Sequence, residues 1–351
     1  MQNEVRIVET ARLEAAVRAA LEGAGADAPS VAATTRAVMH ASRHGVDSHG
    51  VRLVPHYCKV LRGGRVNPAP EMKLRRTSPA AFSLDADDGL GHGAAYRAME
   101  VACEAAGEVG IAAVGIHRSS HFGAAGAYAL AGAEAGRVAL AMANSDSVVA
   151  LHEGAQPFHG TNPFAAGVPV AGAGAGAGAG ARPWLLDMAT SSVPLNRVYL
   201  YRALGLPLPA DVAVDASGAM TADPHAAAML MPAGGSQFGF KGAALGGLMT
   251  ILSAVLTGAT ADPFVIPMDG EEAATPRDIG HFVLAISPDF FAGADRFGTE
   301  LARYLDALRG SRPREGARVL APGDREWEEA ERRRRDGVPV DLATAEFLRV
   351  G

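Results

Sequence analysis

Short apolar stretches alternate with Ala-rich helical patterns through the middle of the chain, and this alternation limits the available folds more than any other feature. The stretches IAAVGIH (111–117) and RVALAMANS (137–145) each have the length and composition of a buried strand. Between them, AAGAYALAGAEAG (124–136) has the small residues that let a helix pack closely. From about Leu74 onward, alternating strands and helices predict an α/β or mixed α+β fold.

The two ends of the chain have helical patterns instead. Leu13, Val17 and Leu21 share one face of a predicted N-terminal helix, which Thr10 can cap. Near the C-terminus, REWEEAERRRRDG (325–337) predicts a surface helix whose charges face solvent. Because 351 residues exceed one ordinary core, we expect one large domain or two to three interleaved ones.

Charge and cysteine content exclude several classes of function. The net charge is −6, so no basic surplus indicates nucleic acid or an anionic membrane as a partner. The two cysteines, Cys58 and Cys103, lack zinc-binding spacing, and we expect free thiols. The N-terminal residues lack the apolar core of a signal peptide, which favours a cytoplasmic protein.

Two unusual segments are expected to be structural rather than catalytic. The apolar run at 243–261 has the length of a membrane span. However, its Gly, Ala, Ser and Thr content, and Lys241 just before it, favour a buried helix. The low-complexity run AGAGAGAGAGA (171–181) predicts a flexible insertion between two strands, without a catalytic role.

Two familiar motifs are matched only loosely. Gly89, Gly91 and Ala94 follow a predicted strand in the manner of a dinucleotide fingerprint. No strand ending in an acidic residue follows about twenty residues later to bind a ribose, so we expect no Rossmann site. His40 and His44 stand four apart on a helix, as zinc ligands can, but no third ligand is evident and we expect no metal.

Two histidines have surroundings that suit acid/base chemistry. His49 in VDSHGVR and His121 in RSSHFGAAG both follow a serine and precede a glycine within two residues. Small neighbours allow close approach of a substrate, and a hydroxyl can orient the imidazole. Histidine titrates near neutral pH, which suits reversible proton transfer to an alcohol or carbonyl oxygen. From the residues alone, a second interpretation stays open, in which each is a hydrogen-bonded histidine near a turn.

Five further stretches put polar residues at predicted strand or loop ends, where ligands collect in layered folds. They are Asn144–Ser147, His159–Pro163, Leu185–Ser192, Phe240–Gly242 and Ala321–Glu326. Each stretch alone is also compatible with an ordinary turn or cap.

In their order along the chain, these motifs resemble the type 2 malate/L-lactate dehydrogenase family, whose relatives include sulfolactate and ureidoglycolate dehydrogenases and cyclic imino acid reductases. The matching stretches are DSHGVR, GGRVNPAP, GLGHGAA, SSHFGAAGAYA, GRVALAMANS, GTNPFAAGVP, LLDMATS, FKGAALGGLMTILSAVLTGA, IGHFVLAI and GARVLAPGDRE. They span nearly the whole chain, and the ordered set is far more specific than any one stretch.

The resemblance implies an NAD(P)-dependent oxidoreductase with a non-Rossmann mixed sheet that binds the dinucleotide. It implies that a helical N-terminal segment, 1–73, packs with a helical C-terminal segment, 296–351. Residues 74–295 then form the cofactor-binding domain, interrupted by the insertion at 171–181. It also implies a homodimer acting on a small carboxylate substrate.

Roles of individual residues follow from the same resemblance. His121 is similar to the acid/base that exchanges a proton with the substrate oxygen, and Ser48 and His49 to substrate-facing residues. A cation beside them would bind the substrate carboxylate, and Arg52 is the candidate. The residues that correspond to cofactor contacts are Ser145, Thr161, Asn162, Asp187, Met188, Ala189, Lys241, Gly242, Gly323, Asp324 and Arg325.

The chain also departs from the family pattern near the expected cleft. Many relatives place the arginine three residues after the glycine of SHG, whereas Arg52 is two after Gly50 and Leu53 holds the third place. The stretch ADVAVD (210–215) lacks a tryptophan that relatives tend to have, and Arg197 stands where they often have lysine.

These observations lead to a ranked set of functions. The first is hydride transfer between nicotinamide and a 2-hydroxy or 2-oxo acid, and the alternative is reduction of the C=N bond of a cyclic imine carboxylate. Two other classes stay open: a metal-dependent hydrolase using His40, His44 and His49, and a catalytically inactive binding module.

Overall fold

Helices and strands alternate along residues 5–170 and 182–350, which the computed structural model describes. The predicted insertion at 171–181 lies outside the described residues. The helices are α1 (Thr10–Glu22), α2 (Ala28–Arg43), α3 (Val54–Gly63), α4 (Gly91–Val109), α5 (Gly126–Glu134), α6 (Leu195–Leu204), α7 (Gly235–Thr250), α8 (Ala294–Arg309), α9 (Asp324–Asp336) and α10 (Leu342–Phe347). The strands are β1 (Val5–Val8), β2 (Lys73–Arg76), β3 (Ala81–Asp85), β4 (Ile111–Ser119), β5 (Val138–Ala143), β6 (Val149–Ala150), β7 (Pro157–His159), β8 (Phe164–Val168), β9 (Trp184–Met188), β10 (Ala213–Val214), β11 (Met229–Leu230), β12 (Ile279–Ile286) and β13 (Val338–Asp341).

A seven-stranded mixed sheet in the order β2-β3-β4-β12-β5-β8-β9 forms the centre of the molecule. β3 and β4 run parallel, whereas β12 is antiparallel to both of its neighbours. Helices α4 and α5 pack on this sheet through small residues. A Cβ atom on Gly167 of β8, for example, would collide with the Ala129 carbonyl of α5. The architecture confirms the predicted mixed α/β class.

The N- and C-terminal segments share one core. β1 pairs antiparallel with β13, from Val5 opposite Asp341 to Val8 opposite Val338. The side chains of α1, α2 and α3 pack there with residues of β13 and α10. The predicted apolar face of α1 is fully buried, but its cap is not Thr10. The Glu9 carboxylate accepts the first N–H groups of the helix instead, and Thr10 is already helical. The domain boundaries at 73/74 and 295/296 stay a prediction.

Helix α9 is charged and largely exposed, as predicted, with one exception. Arg333 is 5% exposed; it donates to the Ser42 carbonyl at 2.7 Å and forms an ion pair with Asp47. Arg333 also pairs with Glu329 of its own helix, so a buried guanidinium with three partners fixes α9 against α2. The periodicity of a charged run cannot indicate which of four successive arginines turns inward.

Helix α7 continues through a π-helical turn, Ile251–Val255, and is less buried than predicted. By length and composition Gly235–Val255 is apolar enough to cross a membrane, and 39% of its most apolar window is buried. One face packs against the protein, including Gly242, Gly246 and Met249. The opposite face exposes large apolar side chains, namely Phe238, Phe240, Leu248, Ile251, Val255 and Leu256. The prediction of a buried helix is therefore wrong for this face.

Candidate active site

One edge of the seven-stranded sheet collects most of the predicted site residues. β4, β5 and β9 end there, and β8 and β12 begin there, because neighbouring strands in this part of the sheet are antiparallel. His121 lies two residues beyond the end of β4, and Ser145 two beyond the end of β5. Asn162 lies two residues before β8, and Asp187 is the second-to-last residue of β9. The sheet order thus brings together residues that are far apart in sequence.

His121 contacts the N-terminal helical segment at this edge. The Tyr57 hydroxyl of α3 lies 2.8 Å from His121 Nδ1. The His49 and His121 rings stack with centroids 5.8 Å apart, and Ser48 Oγ lies 2.8 Å from His49 Nδ1. Asn196 of α6 donates to the Ser48 carbonyl at 3.1 Å. The predicted residues Ser48, His49 and His121 therefore form one cluster, to which the structure adds Tyr57.

Burial sets the protonation of this cluster. It lowers the pKa of His121 well below the usual value, and the nearby His49, His92, His56 and Arg277 lower it further. Burial also lowers the pKa of His49 to about 4, and raises that of Tyr57 far above neutral pH. At neutral pH the imidazole of His121 is therefore uncharged and able to accept a proton. The protonated phenol can either donate to His121 Nδ1 or accept from it, so Tyr57 accommodates both states of the ring.

Arg52 is not brought to this cluster by any contact among the described residues. It is exposed on a short 3₁₀ turn, Val51–Leu53. His49, three residues away, has its pKa lowered by burial alone. Arg277 is instead 5% exposed at the same sheet edge, where it forms an ion pair with Asp146. Sequence reasoning did not single out Arg277.

Two of the predicted cofactor contacts, Thr161 and Asn162, belong to a rigid loop next to Ser145. Asn162 is fully buried with a left-handed φ of 34°. Its Oδ1 accepts the Ser145 N–H at 3.2 Å, and its Nδ2 donates to Asp262 Oδ2 at 2.7 Å. The Thr161 carbonyl accepts the Thr190 N–H at 2.9 Å. The Ser145 hydroxyl has no hydrogen-bond partner among the residues that the structure describes.

The predicted contacts at the end of β9 lie beside those at the start of α9. Leu185 donates its N–H to the Pro322 carbonyl at 3.3 Å, next to Gly323, whose φ is 94°. Asp187 accepts the Gly126 N–H of α5 at 2.9 Å, and burial raises the pKa of Asp187 to about 6. The neighbouring Met188 is 38% exposed.

The two predicted contacts at the start of α9, Asp324 and Arg325, each form an ion pair with a neighbouring side chain. Asp324 at the start of α9 is paired with Arg309 at 2.8 Å, and the Arg325 side chain is 83% exposed beside Glu326. The structure does not bring Arg325 to the other candidates.

Gly242 of α7 packs next to the end of β9, whereas the Lys241 side chain lies on the exposed surface of the helix. A Cβ on Gly242 would collide with the Ala233 backbone, and Ala233 donates to the Thr190 carbonyl at 2.9 Å, next to the predicted contact Ala189. The ammonium of Lys241 lies over the rings of Phe238 and Phe240 and has no carboxylate partner among the described residues. An unpaired cation, the Ser145 hydroxyl and an exposed methionine suit a ligand with phosphates and flat rings, so these residues fit a nicotinamide dinucleotide.

The remaining motifs have structural explanations. His44 Nδ1 lies 2.8 Å from the His40 carbonyl, and the two rings are 4.3 Å apart. Within 5–170 and 182–350, no group of three or more residues suited to metal binding is found. Gly91 of the loose fingerprint packs directly against the Ser120 carbonyl, where a Cβ would collide. That glycine is needed for packing next to His121.

Comparison with known proteins identifies the family of the chain. The model of the malate/L-lactate dehydrogenase family matches residues 8–349. The malate dehydrogenase of Pyrococcus abyssi is 32% identical over 307 residues, covering 86% of this chain and 81% of that protein. The NAD⁺-dependent ureidoglycolate dehydrogenase of Escherichia coli O157:H7 is 32% identical over 301 residues, covering 86% and 82%.

A solved structure extends the likeness to the whole chain. The Δ1-piperideine-2-carboxylate reductase of Pseudomonas syringae pv. tomato has a TM-score of 0.83 at 28% identity, covering 99% of this chain and 100% of that one. The matched family model, the identity to the relatives and the shared fold lead to one conclusion: the chain belongs to the malate/L-lactate dehydrogenase family.

Proposed function

We propose that the protein is an NAD(P)-dependent oxidoreductase that transfers hydride between nicotinamide and a 2-hydroxy or 2-oxo acid, with His121 as the acid/base. The observation that carries this proposal is the hydrogen-bonded pair of the half-buried His121 and the buried Tyr57, at the sheet edge that also carries the candidate cofactor contacts. The dehydrogenases named above, which act on malate and ureidoglycolate, support the reaction class.

The residues of this chain manage the proton of that reaction. When bound, the nicotinamide supplies or accepts the hydride. In oxidation, His121 takes the hydroxyl proton of the substrate, and in reduction it returns a proton to the carbonyl oxygen. Tyr57 orients the ring through Nδ1, which leaves Nε2 to face the substrate. Tyr57 is buried and His49 and His121 are half-buried, which limits the access of water, and His121 neutralises the charge that develops on the substrate oxygen.

A second candidate is reduction of the C=N bond of a cyclic imine carboxylate. Its support is the fold shared with the piperideine carboxylate reductase over nearly the whole of both chains. His121 would then manage an amine proton, because the reacting atom is nitrogen rather than oxygen.

Fluorescence titration with NADH and with NADPH tests the proposal first. Saturable micromolar binding of either identifies the cofactor. Turnover of a panel of 2-oxo acids and cyclic imines with that cofactor then separates the two candidates. Binding of neither dinucleotide would contradict both and would turn attention to a non-catalytic binding module.

Tyr57→Phe is expected to lower kcat about tenfold, because it removes one buried hydrogen bond to the acid/base, worth about 1 kcal/mol or slightly more. The rings still pack, so cofactor affinity should stay the same. Steady-state kinetics across a range of pH would measure both kcat and the pH limb of kcat, which is the pH at which kcat changes. Tyr96→Phe is the matched control, since the Tyr96 hydroxyl has no hydrogen-bond partner among the described residues. An unchanged kcat and pH limb in Tyr57→Phe would remove Tyr57 from the mechanism.

We further propose a cytoplasmic homodimer in which the exposed apolar face of α7 packs against a second copy. Contiguous apolar patches of this kind mark association surfaces. Light scattering of the eluting protein should give twice the chain mass. Ile251→Glu, on this face and 54% exposed, should shift it to monomer. Tyr304→Glu, 59% exposed on α8, should not. A monomeric wild-type protein at micromolar concentration would refute the dimer.

A further inference from the structure

We propose that Arg277, rather than Arg52, binds the carboxylate of the substrate, an inference that rests on the function proposed above. Its basis is the position of Arg277 beside His121 at the sheet edge, the way its guanidinium is fixed, and the cationic side chains near it.

The register of the sheet places Arg277 beside His121. Ile279 of β12 lies opposite Ser119 of β4 in an antiparallel pair. Arg277 comes two residues before Ile279, and His121 two residues after Ser119, so both leave the sheet at the same edge from adjacent strands. Adjacent strands are about 4.8 Å apart, which puts the two side chains within the span of a small 2-hydroxy acid.

The guanidinium of Arg277 is fixed on one side and open on the other. Nε donates to the Ile266 carbonyl at 2.7 Å, and Nη2 is paired with Asp146. Asp146 is itself fixed, because its Oδ2 accepts the Met268 N–H at 2.9 Å. Nη1 of Arg277 has no hydrogen-bond partner among the described residues, and it is not fully buried. A fixed arginine with one free nitrogen next to the reacting atoms is suited to a carboxylate.

The electrostatic surroundings also favour an anion. The positive charge of Arg277 lowers the pKa of both His121 and His56. Arg65 and Lys59 also lower the pKa of His56, and Asp269 acts in the opposite direction. Nε and Nη1 of Arg65 are buried without a partner. Arg65 is paired with Glu272 at 2.8 Å and Asp146 offsets part of the charge on Arg277, so the three cations face three carboxylates, and the site favours an anion through its unpartnered guanidinium nitrogens rather than through a surplus of charge.

Arg52 lacks each of these properties. Its side chain is exposed, and it has no hydrogen-bond or ion-pair partner among the described residues. The chain places Leu53 where many relatives have the arginine of this motif, so the turn presents an apolar side chain at that position. Arg277 supplies a cation beside His121 instead.

The test compares each acid substrate with its neutral analogue in four proteins: wild type, Arg277→Gln, Arg277→Lys and Arg52→Gln. The substrate is the best 2-oxo acid of the panel, and the analogue is its amide. Loss of a buried charge-assisted contact predicts that Arg277→Gln raises KM for the acid about a hundredfold. KM for the amide and the dissociation constant of the cofactor should change by less than about threefold, roughly the scatter of single-contact effects. Arg277→Lys keeps the charge but lacks the paired nitrogens of a guanidinium, so its KM for the acid should lie between those of the wild type and Arg277→Gln. The KM of Arg52→Gln for the acid should equal that of the wild type.

Each other result counts against the proposal. A KM for the acid that rises in Arg52→Gln but not in Arg277→Gln assigns the carboxylate to Arg52. An equal loss for acid and amide in Arg277→Gln makes Arg277 a structural residue. If thermal melting shows that Arg277→Gln does not fold, Arg277→Lys tests the proposal instead, through the ratio of KM for the acid to KM for the amide. If the wild-type protein turns over no acid, the proposed function and this inference are both wrong. If the wild type is active but Arg277→Gln has the same ratio of KM for the acid to KM for the amide, only this inference is wrong.

Discussion

His121→Ala should lower kcat by about a hundredfold or more, the usual scale of lost acid/base catalysis, while the protein still binds its cofactor. The change removes the imidazole that is hydrogen-bonded to Tyr57 and leaves the hydroxyl of Tyr57 and the ring of His49 beside the space that it occupied. Stopped-flow or steady-state turnover, together with cofactor titration, measures the two effects separately. His117→Ala is the matched control, because His117 lies on β4, the strand that leads to His121, but outside the cluster.

The pH dependence of the wild type gives the same prediction a second readout. Burial lowers the pKa of His121, so the neutral base is present at neutral pH and persists as the pH falls toward that lowered pKa. Oxidation of a hydroxy acid should therefore keep its rate into mildly acidic solution. Reduction needs the protonated ring and should become faster as the pH falls. An alanine variant with undiminished kcat or an unaltered pH profile would exclude His121 as the acid/base.

Asp262→Ala should lower the free energy of unfolding by about 3 kcal/mol, because it leaves several buried donors without an acceptor. The Asp262 carboxylate is fully buried. Its Oδ2 accepts from Gly160 N at 3.0 Å, from Asn162 Nδ2 at 2.7 Å and from Thr250 Oγ1 at 2.9 Å. Urea unfolding measures the change. Asp306→Ala, on the exposed face of α8, is the control, and equal stability of the two variants would contradict the prediction.

The same carboxylate makes stability depend on pH in a defined direction. Burial alone would raise the pKa of Asp262, but hydrogen bonds from His159, Asn162, Gly160 and Thr250 outweigh it and lower the pKa. The folded-state pKa is thus below the unfolded value of about 3.9. The contribution of Asp262 to the free energy of unfolding is fully present above that unfolded-state pKa, and it is lost as the pH falls through the folded-state pKa. In Asp262→Ala this part of the acid sensitivity should disappear.

Periodicity and composition were sufficient for the centre of the main sheet and its helices, but not for the exposed edge strand β2. β4, α5 and β5 follow from two apolar runs around an Ala-rich stretch, and the buried face of α1 follows from a helical period. The second sheet, in the order β10-β11-β6-β7, was missed because its strands are two or three residues long and contain no measurable period. The Glu9 cap was missed because Thr10 is the better capping residue by type.

The candidate site was predictable only where a motif carries its own chemistry. Small residues around His49 and His121 identified both histidines. Tyr57 has no local signal, since a tyrosine on an amphipathic helix is ordinarily part of a core. Arg277 lies 156 positions from His121, and only the pairing of β12 with β4 brings them together.

The pairing of β1 with β13 also determines when the active site can form during synthesis. Helices α1, α2 and α3 leave the ribosome first, but their core includes Val338, Val340 and Leu348. Until those residues emerge, the segment that carries His49 and Tyr57 has an open apolar surface and no fixed position against the sheet. The cluster of His49, Tyr57 and His121 can therefore take its final position only after β13 and Leu348 have left the ribosome, and we expect a nascent chain truncated before β13 to carry all three residues yet be inactive.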